Sequence, residues 1–364
     1  MQLAVLLCLL SAPPLSLDDE AAAPIGPELG SCAPLPSARR QDNATHRALE
    51  RGLEFLATRQ ATGVSGAFPK DGREYAPVGV TALGALAFLA AGNTPGRGPF
   101  GAELARATDY LLEKVDLAPA SDTYGFIRSG DSFPNGRMHE HGLATLALAE
   151  VYGMAPQRME RVGTALEAAL NLIERSQGAE GGWHYEPRAI AAHEGSVTIT
   201  LVQALRAARN SGIRVDPAVI RRAEDYVLRL QKKDGTFRYQ LDSEDSTTAL
   251  TAAGVTTLNM AGRYDDTVIQ SAVDAVWSGL AIQEENEARV RWPYYQRLYV
   301  AQAFWQLGDT THFARWFATE RERLLRSQED DGSWKNGDWG ACYATAVNCL
   351  VLALPEGLLP VFQR

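Results

Sequence analysis

The chain has 364 residues, 46% of them hydrophobic and 22% charged, and a formal net charge of −9. That balance excludes a fibrous, coiled-coil or wholly disordered protein. An acidic chain without a basic run offers little to a phosphate backbone, so no nucleic-acid partner is expected.

In chain order, residues 3–10 form a compact hydrophobic block, followed by Ser11-Ala12-Pro13-Pro14 and the acidic Asp18-Asp19-Glu20. The block reads as a secretory signal peptide over 1–17, which would place the mature chain in the periplasm or outside the cell. Residues 18–44, rich in Pro, Ala, Ser and Asp, read as a linker. No later apolar stretch is long enough to cross a bilayer, so no transmembrane segment is expected after signal removal. Cys8 would leave with the signal. Cys342 and Cys349 lie seven residues apart on one predicted helix, about 10 Å by helical rise. A disulfide needs a closer approach, so both are expected to be buried free thiols.

From Thr45 to Arg364 the chain repeats itself. Phe55-Leu56-x-x-x-Gln60 leads to Gly66-Ala67-Phe68, and Leu172-Ile173-x-x-x-Gln177 leads to Gly181-Gly182-Trp183. Tyr226-Val227-x-x-x-Gln231 leads to Gly235-Thr236-Phe237, and Leu324-Leu325-x-x-Gln328 leads to Gly332-Ser333-Trp334. Tyr110-Leu111 before Gly125-Phe126, and Val276-Trp277 before Trp292, are degraded copies. The intact glutamines are 117, 54 and 97 residues apart, which is two units, one and two. Such a period marks a stacked or closed repeat architecture.

Each unit begins with an amphipathic helix, as at Leu49, Leu53 and Leu56, and continues through a Gly-rich loop holding an aromatic. A small, nearly all-apolar helix follows, predicted at 78–91, 142–152, 197–206, 248–260, 294–306 and 343–354. A helix apolar on every side is buried on every side. Six amphipathic helices alternating with six buried ones predict an all-α fold: a single (α/α)6 toroid of six helix-pair repeats, with the buried set inside. Polar residues interrupt the inner helices at i, i+4 spacing: His141 and Thr145; Ser196, Thr200 and Gln203; Thr247 and Thr251; Tyr295, Tyr299 and Gln302. Either they face a wet central lumen or they bond between helices.

The pattern aromatic-Leu-x-x-x-Gln…Gly-x-Trp/Phe resembles the QW motif of squalene and oxidosqualene cyclases and the repeat of protein prenyltransferase β-subunits. With Glu140-His141-Gly142-Leu143-Ala144-Thr145 and Gly181-Gly182-Trp183-His184-Tyr185, it is similar to bacterial prenyltransferase/squalene oxidase repeat proteins of planctomycete type. The resemblance covers residues 45–364 and implies the toroid of the terpenoid cyclase and prenyltransferase superfamily. The Gln, Gly and aromatic positions are fold devices: the glycine permits a tight turn and the glutamine is expected to cap the neighbouring inner helix.

The resemblance also points to Asp242, Glu244 and Asp245, before the fourth inner helix, as a counterpart of the acidic motif of class II terpene cyclases. There a carboxylic acid protonates an alkene or epoxide. Here Glu stands for the middle Asp, and Ser246-Thr247 intervene before Thr248-Ala249, so the favoured reading is a helix start with Asp245 or Ser246 as N-cap and the other carboxylates on the helix dipole. His141, Glu140, Ser196 and Thr200, with the aromatic faces of Trp292, Tyr294, Tyr295 and Tyr299, are candidate ligand contacts. His141, Ser196, Glu244 and Tyr295 are expected to converge on one mouth.

A zinc site, as in the prenyltransferases, is not expected. His139 and His141 sit two residues apart on a helix, a rotation of about 200°, and Asp338 to Cys342 is not a tight pair. No cofactor is expected either. Three functions stay open: a cyclase-like toroid that binds, or binds and transforms, an isoprenoid; a non-catalytic periplasmic binding or scaffold protein; and a carbohydrate-active toroid. The last would need two carboxylates about 5–10 Å apart, from Glu140, Glu194, Asp242 and Glu244.

Overall fold

The computed structural model describes residues 43–363, apart from 64, 131–136, 265, 287–289 and 309. The signal-peptide reading and the linker up to residue 42 lie outside the described residues. Within them are twelve α-helices: α1 (Asn43–Ala61), α2 (Pro77–Ala90), α3 (Gly101–Glu113), α4 (Arg137–Val151), α5 (Met159–Ser176), α6 (Gly195–Asn210), α7 (Pro217–Leu230), α8 (Thr248–Met260), α9 (Thr267–Glu285), α10 (Pro293–Gln306), α11 (Thr310–Ser327) and α12 (Gly340–Ala353).

Side-chain polarity sorts them into two layers. All fourteen residues of α2 are buried, whereas α7 buries Val219, Ile220, Ala223, Tyr226, Val227 and Leu230 along one stripe. The even-numbered helices close a ring: α2 packs on α4, α4 on α6, α6 on α8, α8 on α10, α10 on α12, and α12 returns to α2. Each odd-numbered helix lies behind one of them, and α1 closes the outer layer by packing on α12. The architecture is the all-α toroid expected from the sequence. Cys342 and Cys349 are buried free thiols, as expected.

The connecting turns lock neighbouring pairs together. Gln177 Nε2 donates to its own turn at the Gly181 carbonyl (2.8 Å) and to the Val219 carbonyl at the start of the next outer helix (2.9 Å). Gln60, Gln231 and Gln328 make the same pair of bonds. The expected cap on an inner helix is therefore not what these glutamines form: they join one outer helix to the next through carbonyls. Gly181 (φ +96°) and Gly332 (φ +87°) sit where a Cβ would collide with the backbone carbonyls of Arg222 and Arg51 on the following outer helix, so the turn tolerates no side chain.

A second device sets the rotation of the inner helices. The N–H groups of Phe68, Trp183, Phe237 and Trp334 donate to the hydroxyls of Thr81, Thr198, Thr251 and Thr345, at 3.1–3.3 Å. In the α4 copy the N–H of Ile127 donates to His141 Nδ1 at 3.2 Å. Residues bonded this way face outward. Those two positions earlier are turned about 200° toward the axis: Gly79, His139, Ser196, Ala249 and Tyr343.

The axis is filled at mid-depth. Gln203 of α6 donates to Gln302 of α10 at 2.6 Å, and Tyr299 of α10 donates to Gln203 at 3.0 Å. These bonds pass α8 and cross the ring, and all three side chains are buried. At the C-terminal ends of the inner helices the last segment folds under the ring. There the Val361 N–H donates to Glu150 Oε1 at 3.2 Å, and Gln306 Nε2 donates to the Val361 carbonyl at 3.4 Å. Two of the polar stripes thus reach the axis, as direct bonds between helices. The other two do not: Thr145 bonds the His141 carbonyl of its own helix and Thr247 caps α8.

Candidate functional site

At the inner-helix N-termini partly buried side chains gather, among them His139, Tyr185, Ser196, Tyr239, Tyr295 and Tyr343. Glu194 is the N-cap of α6 and is fully buried. Its carboxylate accepts the N–H groups of Ser196 (3.0 Å) and Val197 (2.7 Å), and the Ser196 Oγ lies 2.7 Å from both of its oxygens. Tyr239 bonds the same carboxyl and also the hydroxyl of Tyr185. From α4, His139 brings Nε2 to 3.1 Å from Ser196 Oγ and Nδ1 to 3.3 Å from Thr200 Oγ1. Opposite stand Tyr295 and Tyr299 of α10, ring centroids 4.5 Å apart, and Tyr343 of α12, 5.8 Å from Tyr294.

Burial dominates the electrostatics. It raises the Glu194 carboxyl above its ordinary range, against the opposing bonds from Ser196, Val197 and Tyr239. It lowers His139 to about 4, so the imidazole is neutral at physiological pH. Tyr185, Tyr239, Tyr295 and Tyr343 are all raised by burial, and Tyr299 is pushed up to about 12. The phenols therefore stay protonated and present neutral rings and hydroxyls. The site combines a protonable acid, a neutral imidazole and a wall of aromatic faces.

Of the residues singled out from the sequence, Ser196, Thr200, Tyr295 and Tyr299 meet here. Tyr294 stands at the rim, its hydroxyl donating to the Lys335 carbonyl at 2.6 Å, and Trp292 is 45% exposed at the start of α10. His141 does not reach the mouth. It is buried toward the outer layer, and burial lowers it to about 3. Glu140 is buried too, and its Oε1 accepts the Gly79 N–H at 3.0 Å, tying α4 to α2. Asp242, Glu244 and Asp245 are exposed on the loop before α8. Glu244 pairs with Lys232 and Arg238, both at 3.7 Å, and Thr247 rather than an acid caps the helix.

The convergence expected of His141, Ser196, Glu244 and Tyr295 therefore holds for Ser196 and Tyr295, while His139 and Glu194 take the places of the other two. The bridge to the preceding turn locates His139: the inner-helix residue two before the bridging side chain, here His141, is turned toward the axis. Among the described residues no group of three or more His, Cys, Asp or Glu could hold a metal ion, and no helix is long and apolar enough to cross a membrane.

No known family matches the sequence, and no curated protein matches it. Solved structures do. Type II terpene cyclase MstE from Scytonema is 16% identical, with a TM-score of 0.53 over 87% of this chain and 100% of that one. A variant of it has been solved in complex with its substrate, geranylgeranyl dihydroxybenzoate. An alpha-1,6-mannanase from Salegentibacter sp. HEL1_6 is 10% identical, with a TM-score of 0.62 over 86% of this chain and 99% of that one. A D-mannose isomerase is 12% identical, with a TM-score of 0.59 over 86% and 96%. At these identities the likeness is one of fold: this chain is an α/α toroid of the kind shared by terpene cyclases and carbohydrate-active enzymes.

Proposed function

We propose that this chain binds an isoprenoid-bearing ligand at the aromatic mouth and that Glu194 is its proton donor. The observation that carries the reading is a buried carboxyl, held above its ordinary range, among the rings of Tyr185, Tyr239 and Tyr295. A protonated acid beside an alkene or epoxide transfers its proton as the substrate's electron pair forms the new bond, leaving a carbocation. Aromatic faces lower the energy of that cation. The carboxylate left behind accepts the N–H groups of Ser196 and Val197 at the positive end of α6. In the same reading residues 1–17 export the chain, so it acts in the periplasm or outside the cell.

A second reading, a carbohydrate ligand, is favoured by the hydroxyls of Tyr185, Tyr239, Ser196 and Thr200 around the same mouth. Among the described residues, the acids expected to pair with Glu194 for glycoside hydrolysis are placed otherwise: Glu140 is engaged with Gly79, and Asp242 and Glu244 are exposed. The deciding experiment is calorimetric titration of the purified chain with geranylgeranyl dihydroxybenzoate and with alpha-1,6-mannotriose, followed by product analysis. The expected result is binding of the prenylated probe, weakened about 10-fold or more in Tyr295→Ala. Any cyclised product should fall about 100-fold or more in Glu194→Gln, with binding retained. Binding of the mannotriose alone would replace this reading with the carbohydrate one. Binding of neither would leave a scaffold.

A further inference from the structure

Ser196 stands between the buried acid and the partly buried imidazole, and its one hydroxyl proton can serve only one of them. Its Oγ is 2.7 Å from both Glu194 oxygens and 3.1 Å from His139 Nε2. On the far side of the imidazole, Thr200 Oγ1 lies 3.3 Å from Nδ1 and gives its own proton to the Ser196 carbonyl at 3.0 Å. With its proton so directed, Thr200 accepts from His139, which places the imidazole proton on Nδ1 and leaves a lone pair on Nε2. That lone pair calls for the Ser196 proton, and Ser196 Oγ must then accept from Glu194. Every bond is satisfied when Glu194 is the protonated acid, donating to Ser196, which donates to His139. With Glu194 ionised, the Ser196 proton turns to the carboxylate. Two lone pairs then face each other unless the imidazole moves its proton to Nε2 and the Thr200 hydroxyl turns from the Ser196 carbonyl to donate to Nδ1.

We propose that Glu194, Ser196 and His139 form a proton relay that reloads Glu194 from the mouth, with His139 as its outer terminus. The proposal rests on Glu194 being the proton donor, but the geometry of the relay is independent of the ligand. After Glu194 has given up its proton, His139 takes one from hydronium at the mouth and becomes imidazolium. Its Nε2 proton passes to Ser196 Oγ as the Ser196 proton passes to the Glu194 carboxylate. The products are neutral His139 with its proton on Nδ1, an intact serine hydroxyl and protonated Glu194, so protons and charge balance. Burial acts in the same sense at both ends, lowering His139 and raising Glu194, which directs the proton inward. The other titratable groups facing Glu194 are Tyr185 and Tyr239 from the loops, Tyr226 of α7, and Tyr295 and Tyr299 of α10. All are phenols raised by burial, so none competes for the proton near neutrality. Ser196 and His139 act through Glu194 and are positioning residues.

The test is ¹⁵N-histidine NMR on the ligand-free chain at about pH 6 and about pH 10, with the His139 signals assigned from a His139→Gln variant. The wild type should carry its proton on Nδ1 at the lower pH and on Nε2 at the higher. Glu194→Gln, whose amide N–H donates to Ser196 as the protonated acid does, should hold the Nδ1 form at both. Ser196→Ala should shift the Nε2 resonance and abolish the pH response, and Ser196→Thr, which keeps the hydroxyl, should restore it. A wild-type His139 with the same tautomer at both pH values, or one that Ser196→Ala leaves unmoved, would overturn the relay. Either result leaves the ligand titration free to support or reject Glu194 as the proton donor.

Discussion

His139 and His141 sit two residues apart on α4 and do unrelated work. The helix turns about 200° between them, so one faces the axis and the other the outer layer. His141 holds the position that threonine holds in four other inner helices, accepting an N–H from the preceding turn. His141→Thr should therefore be tolerated within about 1 kcal/mol. His141→Ala, which orphans the buried Ile127 N–H, should cost about 2–3 kcal/mol in urea unfolding. Equal losses for the two would show that imidazole packing, not the bond, matters at this position. The same arithmetic explains what was legible at this scale. That a polar residue interrupts an apolar helix is visible in sequence, but its direction depends on where the turn before it is anchored.

Among whole elements, the inner-helix starts show why acidic residues mislead. Asp242, Glu244 and Asp245 precede α8 as Glu194 precedes α6, yet the first three are solvated and the fourth is buried. The difference lies in what packs above each start: Tyr185, Tyr226 and Tyr239 lie close enough to Glu194 to enclose it, while Glu244 faces Lys232 and Arg238.

The opposite end of the ring carries its own buried acid. Glu150 is 4% exposed and is raised by burial to about 7, opposed by the Val361 N–H that it accepts. A carboxyl raised in the folded state contributes stability that is complete below its unfolded pKa and is lost as pH rises through the folded value. Stability should thus decline between about pH 4.5 and pH 7, by up to about 3 kcal/mol. Glu150→Gln, which needs no proton to stay neutral, should flatten that decline. Urea midpoints compared at acid and neutral pH read this directly. A decline that persists undiminished in the variant would assign it to other groups.

For the molecule as a whole, closure makes the seam between its two ends resemble the junctions bridged by Gln60, Gln177 and Gln231. Gln328 reaches back to the Ala48 carbonyl at 2.8 Å, as Gln177 reaches forward to Val219 at 2.9 Å, and Arg51 holds the carbonyls of Glu329 and Asp330 at 2.8 Å. Gln328→Ala and Gln177→Ala should therefore each lower stability by about 1–3 kcal/mol and keep a single thermal transition. An early, separate transition in the seam variant alone would show that the ring opens there first.

The sequence alone determined the all-helical class, the division into amphipathic and largely apolar helices, and the closed ring they imply. Those follow from local polarity and from a turn written out several times along the chain. Only the tertiary structure decided that Gln203, Gln302 and Tyr299 fill the axis, and that Glu194 and His139 meet across Ser196. Residues 139 and 196 are neighbours because parallel inner helices share one rotational register. Contacts of that kind come from packing helices side by side, and no spacing within a single helix records them.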